Sequence, residues 1–181
     1  LRMMRACRFV AQLGFTVDPL VIDSMKRMVD RIEIISAERV RDELTKLLMS
    51  DNPRLGLALM VDTGLAARVL PEIPQLKLEV DEHHHHKDVY EHTLTVLEQA
   101  IALENRLGGK NLTIRLAALL HDIGKPKTRE LIPGGGVSFH HHEVVGSTMT
   151  KERLKALRFS NEIISDVSKL VFLHLRFHGY G

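Results

Sequence analysis

The chain has 181 residues, 44% of them apolar and 27% charged, the composition of an ordinary globular protein with room for one good core or two smaller helical ones. A formal net charge of +2 is too small to argue for nucleic acid by itself, and no run approaches the roughly 18 consecutive apolar residues of a membrane span, so no membrane partner is expected. A cytoplasmic setting is expected, because Leu1 to Arg8 lack a signal-peptide layout and the lone Cys7, inside an apolar-periodic segment, reads as a small buried thiol.

Apolar residues recur at helical spacing almost throughout and strand-like alternation is nearly absent, so the expected fold class is all-α, with about eight helices. Gly14 closes the first of them. Arg2, Arg5 and Arg8 recur on it every three residues, with Phe9 and Leu13 expected on its apolar side. Such a stripe is either a solvated face or a grip on nucleotide or RNA phosphate. Pro19 opens a second helix, Ser36 caps a third whose buried stripe is Val40, Leu44, Leu47 and Leu48, and Asn52-Pro53 starts a fourth. From Leu70 to Glu82, two prolines and a run into acidic residues mark a boundary, giving one helical unit over 1–80 and a second over 81–181. His83 to His86 form a charged, solvated stretch that would take up metal adventitiously and is left out of the active site.

Eleven histidines are many for this length, and most of them fall between His83 and His142, the first sign of metal chemistry. His92 shares a helical stripe with Val96, Ala100 and Leu103. The apolar run Leu112 to Leu120 leads straight into His121-Asp122, after which Gly124 and Pro126 are expected to end the helix. An imidazole and a carboxylate at a buried helix end need partners. They can bond each other or the backbone, or share a divalent cation, since that donor pair suits transition metals. Gly134-Gly135-Gly136 reads as a tight turn or small hairpin within 131–139. His142, with Val145, Gly146 and Met149 at helical spacing, faces inward, and His174 follows Ile163, Val167, Leu170 and Val171 in the same way. Four inward histidines and an aspartate cannot all be buried cheaply without a shared cation or a wet pocket.

Tyr90-Glu91-His92-Thr93, the run His121-Asp122-Ile123-Gly124-Lys125-Pro126, and Phe139 to Glu143 with Gly146 closely resemble the HD domain, in the order H, HD, H, H, from about residue 81 onward. The resemblance implies that His92, His121 and Asp122 ligate a divalent metal ion (Mg, Mn, Ni or another transition metal) and that His142 and His174 line the same site. It also implies hydrolysis of small phosphoesters or cyclic nucleotides by a metal-activated water, and Asp122 and Lys125 are the candidate catalytic residues. A cation there would lower the pKa of bound water and stabilise phosphoryl charge. Lys125 either adds positive charge near the phosphate or is a solvated lysine beyond a helix end. The HD pattern closes on a further aspartate. Asp166, the only aspartate after Asp122, falls two turns before His174 on the same expected helix and is not assigned, so truncation at the C-terminus and a weakened metal affinity are expected.

Leu1 to Phe9, ending in Leu13-Gly14-Phe15, resembles the neck helix of class II CCA-adding tRNA nucleotidyltransferases and bacterial poly(A) polymerases. Arg39-Val40-Arg41-Asp42-Glu43 with Leu47-Leu48, and Gly64-Leu65 with Leu70-Pro71-Glu72-Ile73, resemble that family's body. The resemblance implies a parent protein that acts on tRNA with ATP and CTP. Arg2 matches the closing arginine of the family's base-selecting motif, and Arg5 and Arg8 follow as nucleotide or RNA contacts. The catalytic head with its paired aspartates is not in this chain, so nucleotide addition is expected of the parent only. Two alternatives stay open: a nucleic-acid-binding module with a structural, non-catalytic metal site, and a stand-alone HD phosphohydrolase.

Overall fold

In the computed structural model, which describes residues 1–78 and 88–176, helix α1 (Arg2–Leu13) stops where Gly14 turns left-handed at φ 70° and its N–H reaches back 2.8 Å to the Val10 carbonyl. Helix α2 (Pro19–Met28) starts on a proline behind Asp18, whose carboxylate accepts from the Leu20 N–H. A short 3₁₀ segment, Val29–Ile34, leads to α3 (Ala37–Leu48), capped by Ser36, and Pro53 opens α4 (Pro53–Asp62). The five-residue α5 (Leu65–Val69) completes a compact unit that ends at Pro74. Its core joins Met4, Cys7 and Ala11 of α1 to Leu44, Leu47 and Leu48 of α3 and Leu57 and Met60 of α4. Burial pushes the Cys7 thiol up to about 12, which leaves it an inert core residue. Helices α1 and α4 meet closely at Gly56, where a β-carbon would lie 2.8 Å from both Ala11 Cβ and the Cys7 carbonyl oxygen. The expected placement of Phe9 and Leu13 on the buried side is corrected. Both are exposed, and the buried stripe of α1 is Met3, Met4, Cys7, Val10 and Ala11, about 160° around the helix from Phe9.

The second unit begins at Gln75. Its helices are α6 (Val89–Leu103), α7 (Leu112–Leu120), the one-turn α8 (Lys125–Thr128), α9 (His142–Ala156) and α10 (Asn161–Leu173). Asp88, Asn111 and Ser160 cap α6, α7 and α10 through side-chain oxygens. Packing of α9 on α10, of α10 on α7 and of α7 on α6 buries Leu94, Leu97, Leu116, Leu119, Val167 and Val171. A charged pair lies inside this core. Arg115 sends two hydrogen bonds of 2.5 and 2.7 Å to the two oxygens of Glu104, with both side chains almost fully buried. Hydrogen bonds from Arg115 hold the Glu104 carboxyl below its ordinary range.

The strands among the described residues are β1 (Glu130–Leu131) and β2 (Val137–Ser138), antiparallel with Glu130 opposite Ser138, around the three left-handed glycines 134–136. The fold is therefore all-α with one small hairpin, and eight of the α-helices among the described residues run nine residues or more. No helix among the described residues is long and apolar enough to cross a membrane. The run His83 to His86 and the boundary expected at residues 80 and 81 lie outside the described residues.

Candidate metal centre

The centre is assembled by helix ends. His121 is the residue immediately after α7, His142 is the first residue of α9, and His174 is the residue immediately after α10, while His92 sits one turn into α6. Each of the three at helix ends has its ring fixed by the same local bond. Nδ1–H of His121 donates to the Ala118 carbonyl (2.7 Å), that of His142 to Phe139 (2.9 Å) and that of His174 to Val171 (2.5 Å), three residues back in every case. A carbonyl only accepts, so Nδ1 carries the proton and Nε2 is the atom presented to the site. At His142 the geometry depends on His141, a non-glycine residue at φ 61° that turns the chain out of the hairpin into α9.

Asp122, 2% exposed, lies where these nitrogens meet. Its Oδ2 is 3.1 Å from His121 Nε2, 3.2 Å from Lys125 Nζ and 3.8 Å from His92 Nε2, and its Oδ1 is 3.3 Å from His142 Nε2 and 3.6 Å from His174 Nε2. Two triads result, His92–His121–Asp122 and Asp122–His142–His174, each with its donor atoms within 4.8 Å of one another and with Asp122 in common. All five residues named from the sequence are thus brought together. His92 is at the edge of its buried face, half-exposed, because Val89, Tyr90, Thr93, Leu94 and Leu97 take the inward side of α6 and Leu103 is exposed.

The electrostatics suit a cation. Burial works against the Asp122 carboxylate, yet the charge and hydrogen bond of His121, with contacts from His142 and His174, hold its pKa well below the ordinary value. Burial also works against charge on His121, and the Asp122 carboxylate together with the Ala118 carbonyl outweighs it, so this imidazole sits above its ordinary value. His142 Nε2 and His174 Nε2 stand 3.1 Å apart with both Nδ1 protons committed to carbonyls. Two facing lone pairs repel unless a proton or a metal ion lies between them, so this donor set fits a divalent cation.

The structure refines the reading of three residues. Pro126 does not merely end a helix; it stands in the first turn of α8, where its missing N–H costs nothing. Lys125 is no solvated lysine. It is buried, paired with Asp122 and 5.4 Å from the centre of the Phe139 ring. Of the two readings open for Lys125 in the sequence, the solvated one is excluded, and its i, i+3 spacing from Asp122 places the two charges on one turn. Gly124 was legible only as punctuation; its β-carbon would sit 2.1 Å from the His142 carbonyl oxygen, so close approach is its role.

In the first unit the three arginines fare differently. Arg2 is exposed. Arg5 Nε donates to Glu43 Oε1 at 3.3 Å, and Arg8 Nε lies 2.7 Å from Glu43 Oε2 in an ion pair too poorly aligned for a good hydrogen bond. Glu43, nearly buried on α3, ties two members of the stripe back to the body.

Comparison with known proteins gives the family. Residues 14–76 match the family described as a probable RNA and SrmB-binding site of polymerase A, and residues 89–180 match the HD domain. The chain is 34% identical to the A-adding tRNA nucleotidyltransferase of Deinococcus radiodurans over 97% of its length and 41% of the relative's. It is 35% identical to the CC-adding tRNA nucleotidyltransferase of Thermus thermophilus, again over 97% of the chain and 41% of the relative. It is 33% identical to the multifunctional CCA protein of Chromobacterium violaceum over 96% of the chain and 41% of the relative. The chain thus spans about two fifths of the length of these curated relatives. With kinship along nearly its whole length and both segments matched in order, this chain belongs to the tRNA nucleotidyltransferase family, and its polymerase A-type segment is followed by an HD domain.

Proposed function

We propose that the second unit is a metal-dependent phosphohydrolase acting on small phosphoesters or cyclic nucleotides, and that the first unit serves RNA and nucleotide binding in a tRNA nucleotidyltransferase. One observation carries the first part: imidazole Nε2 atoms with their Nδ1 protons spent on carbonyls converge on one buried carboxylate. His92, His121, Asp122, His142 and His174 would hold the cation. When bound, a divalent ion there acidifies water and neutralises phosphoryl charge.

The chain's own residues supply the rest. The backbone carbonyls of Ala118, Phe139 and Val171 fix tautomer and ring orientation, so no rotamer search precedes binding. A ligand nitrogen needs its lone pair, so metal binding at His121 competes with protonation of its Nε2. Lys125 keeps a positive charge beside Asp122 and offers it to a phosphate oxygen. In the overall reaction water adds to phosphorus, the phosphorus–oxygen ester bond breaks, and the proton passes to the leaving oxygen. The test is hydrolysis of 2′,3′-cyclic nucleotides and a chromogenic phosphodiester by the purified chain, with and without Mg²⁺, Mn²⁺ or Ni²⁺. Turnover that needs metal and disappears in Asp122→Ala supports the proposal, whereas tight metal binding with no turnover on any substrate gives the site to a structural role.

For the first unit the kinship supports tRNA as the partner of a nucleotidyltransferase that carries it, with ATP or CTP proposed as the nucleotide. Arg2, exposed on α1, is the residue assigned to the nucleotide, and Arg5 and Arg8, anchored on Glu43, present a basic edge to phosphate. The test is binding of a tRNA transcript to the chain across a salt series; an affinity indifferent to Arg2→Ala and Arg5→Ala would remove these residues from the RNA surface.

A further inference from the structure

Helices α9 and α10 leave a groove of about 330 Å³ lined by Ser147, Lys151, Ser168, Lys169, Phe172 and Leu173, none of which is a residue of the metal centre. Its floor and rim differ in chemistry. Ser147 and Ser168 are buried, and their hydroxyl protons are spent: Ser147 Oγ–H donates to the Ser168 carbonyl at 2.9 Å and Ser168 Oγ–H to the Ser165 carbonyl at 3.1 Å. The floor therefore offers oxygen lone pairs and no positive charge. Lys151 and Lys169 are exposed on opposite walls, no carboxylate lines the groove, and neither lysine has an acidic partner among the described residues. Phe172 leaves 40% of its surface open, with the Arg176 guanidinium 6.0 Å from its ring.

Two cations facing one cavity repel each other until an anion enters between them. An exposed aromatic ring beside them is a flat apolar platform. The volume is at the small end of ligand sites and admits a nucleotide-sized piece, while a duplex or a peptide helix of about 10–12 Å diameter is too wide. We propose that this groove holds one phosphate-and-base step of single-stranded RNA. Lys151 and Lys169 take the phosphodiester and Phe172 stacks on the base. The proposal rests on RNA as the partner proposed above and adds a second contact surface, on the HD unit, to the arginines of α1.

The experiment is fluorescence anisotropy of the full chain with a fluorescein-labelled short single-stranded RNA over a range of NaCl concentrations. Against wild type, Lys151→Ala with Lys169→Ala is expected to flatten the slope of log K against log salt by about 1.4, roughly 0.7 for each lost phosphate contact. Phe172→Ala is expected to weaken binding by about fivefold or more with the slope unchanged. The Lys151→Arg, Lys169→Arg pair is expected to keep the wild-type slope. Far-UV circular dichroism verifies that these surface variants remain helical. Wild-type affinity and slope in all groove variants, with loss in Arg2→Ala with Arg5→Ala, would overturn the groove proposal and leave the RNA partner standing. Absence of RNA binding by the wild type overturns both. Displacement of RNA by free ATP from wild type, but not from the double lysine variant, assigns the groove to a mononucleotide and overturns the proposal.

Discussion

Gly124 and His142 touch backbone to backbone, with room between the glycine α-carbon and the histidine carbonyl oxygen for no side chain at all. The turn bearing His121 and Asp122 is thereby set against the first residue of α9, and the distance from Asp122 to His142 follows from that contact. Gly146 shares the approach, since its own β-carbon would lie 3.3 Å from the Gly124 nitrogen.

Gly124→Ala should therefore move backbone and not just a side chain. A loss of about 1–3 kcal/mol in unfolding free energy is expected, as for other overpacked sites, together with weaker metal binding. Urea unfolding and titration calorimetry with Mn²⁺ check the two effects. Unchanged stability and unchanged affinity together would contradict the close packing of these two residues.

Metal should stabilise the second unit through mass action. At a free ion concentration a hundredfold above Kd, a ligand that binds only the native state adds about 2.7 kcal/mol, and EDTA should reverse the rise in Tm. In His121→Ala and Asp122→Ala the metal-induced rise should vanish while far-UV circular dichroism stays helical, because each removes a donor and little core. A Tm that responds to metal equally in wild type and both variants would place the ion elsewhere.

Arg115→Leu is expected to cost about 3–5 kcal/mol, since it strands the buried Glu104 carboxylate, and Arg115→Leu with Glu104→Leu should recover much of that loss. The sign of the pH effect follows from the lowered pKa of Glu104. Its contribution is complete above the unfolded-state value near 4.3 and disappears as pH falls through the lower folded-state value. Unfolding measured from pH 7 to pH 3 should show wild type losing its advantage over the double variant only in the acidic part of that window.

If the proposed role in a tRNA nucleotidyltransferase holds, then in an enzyme carrying this segment Arg2→Ala should relax the choice between CTP and ATP by roughly 5- to 150-fold, the value of one base-edge contact, while His121→Ala leaves nucleotide addition nearly intact. Glu43→Ala should instead cost about 1–3 kcal/mol in stability by leaving the half-buried Arg8 unpaired. Primer extension with each nucleotide alone, alongside thermal melting, separates the two classes. Full selectivity in Arg2→Ala would remove it from the base pocket.

Helix ends and the residue types of the centre are legible without any tertiary contact. Gly14, Pro19, Ser36 and Pro53 act through their own backbone preferences and caps, which need no distant partner, and each marks a helix end in the structure. The order of His92, His121-Asp122, His142 and His174 along the chain was legible, whereas the stripe read for His92 was not the buried face of its helix, which is Val89, Tyr90, Thr93, Leu94 and Leu97. Tertiary structure decided whatever depends on contact between segments remote in sequence. Only packing shows that Phe9 and Leu13 point outward, because an apolar residue at helical spacing is ambiguous until its neighbour is known. Only packing turns Gly124 from a helix stop into a point of contact, buries Lys125 against Asp122, and folds Arg5 and Arg8 back onto Glu43, 38 and 35 positions along the chain. The physical reason is range: capping and helix propensity act within a turn or two, whereas the partner of a buried charge is chosen by the desolvation it must offset, and that partner can come from any element the core brings near.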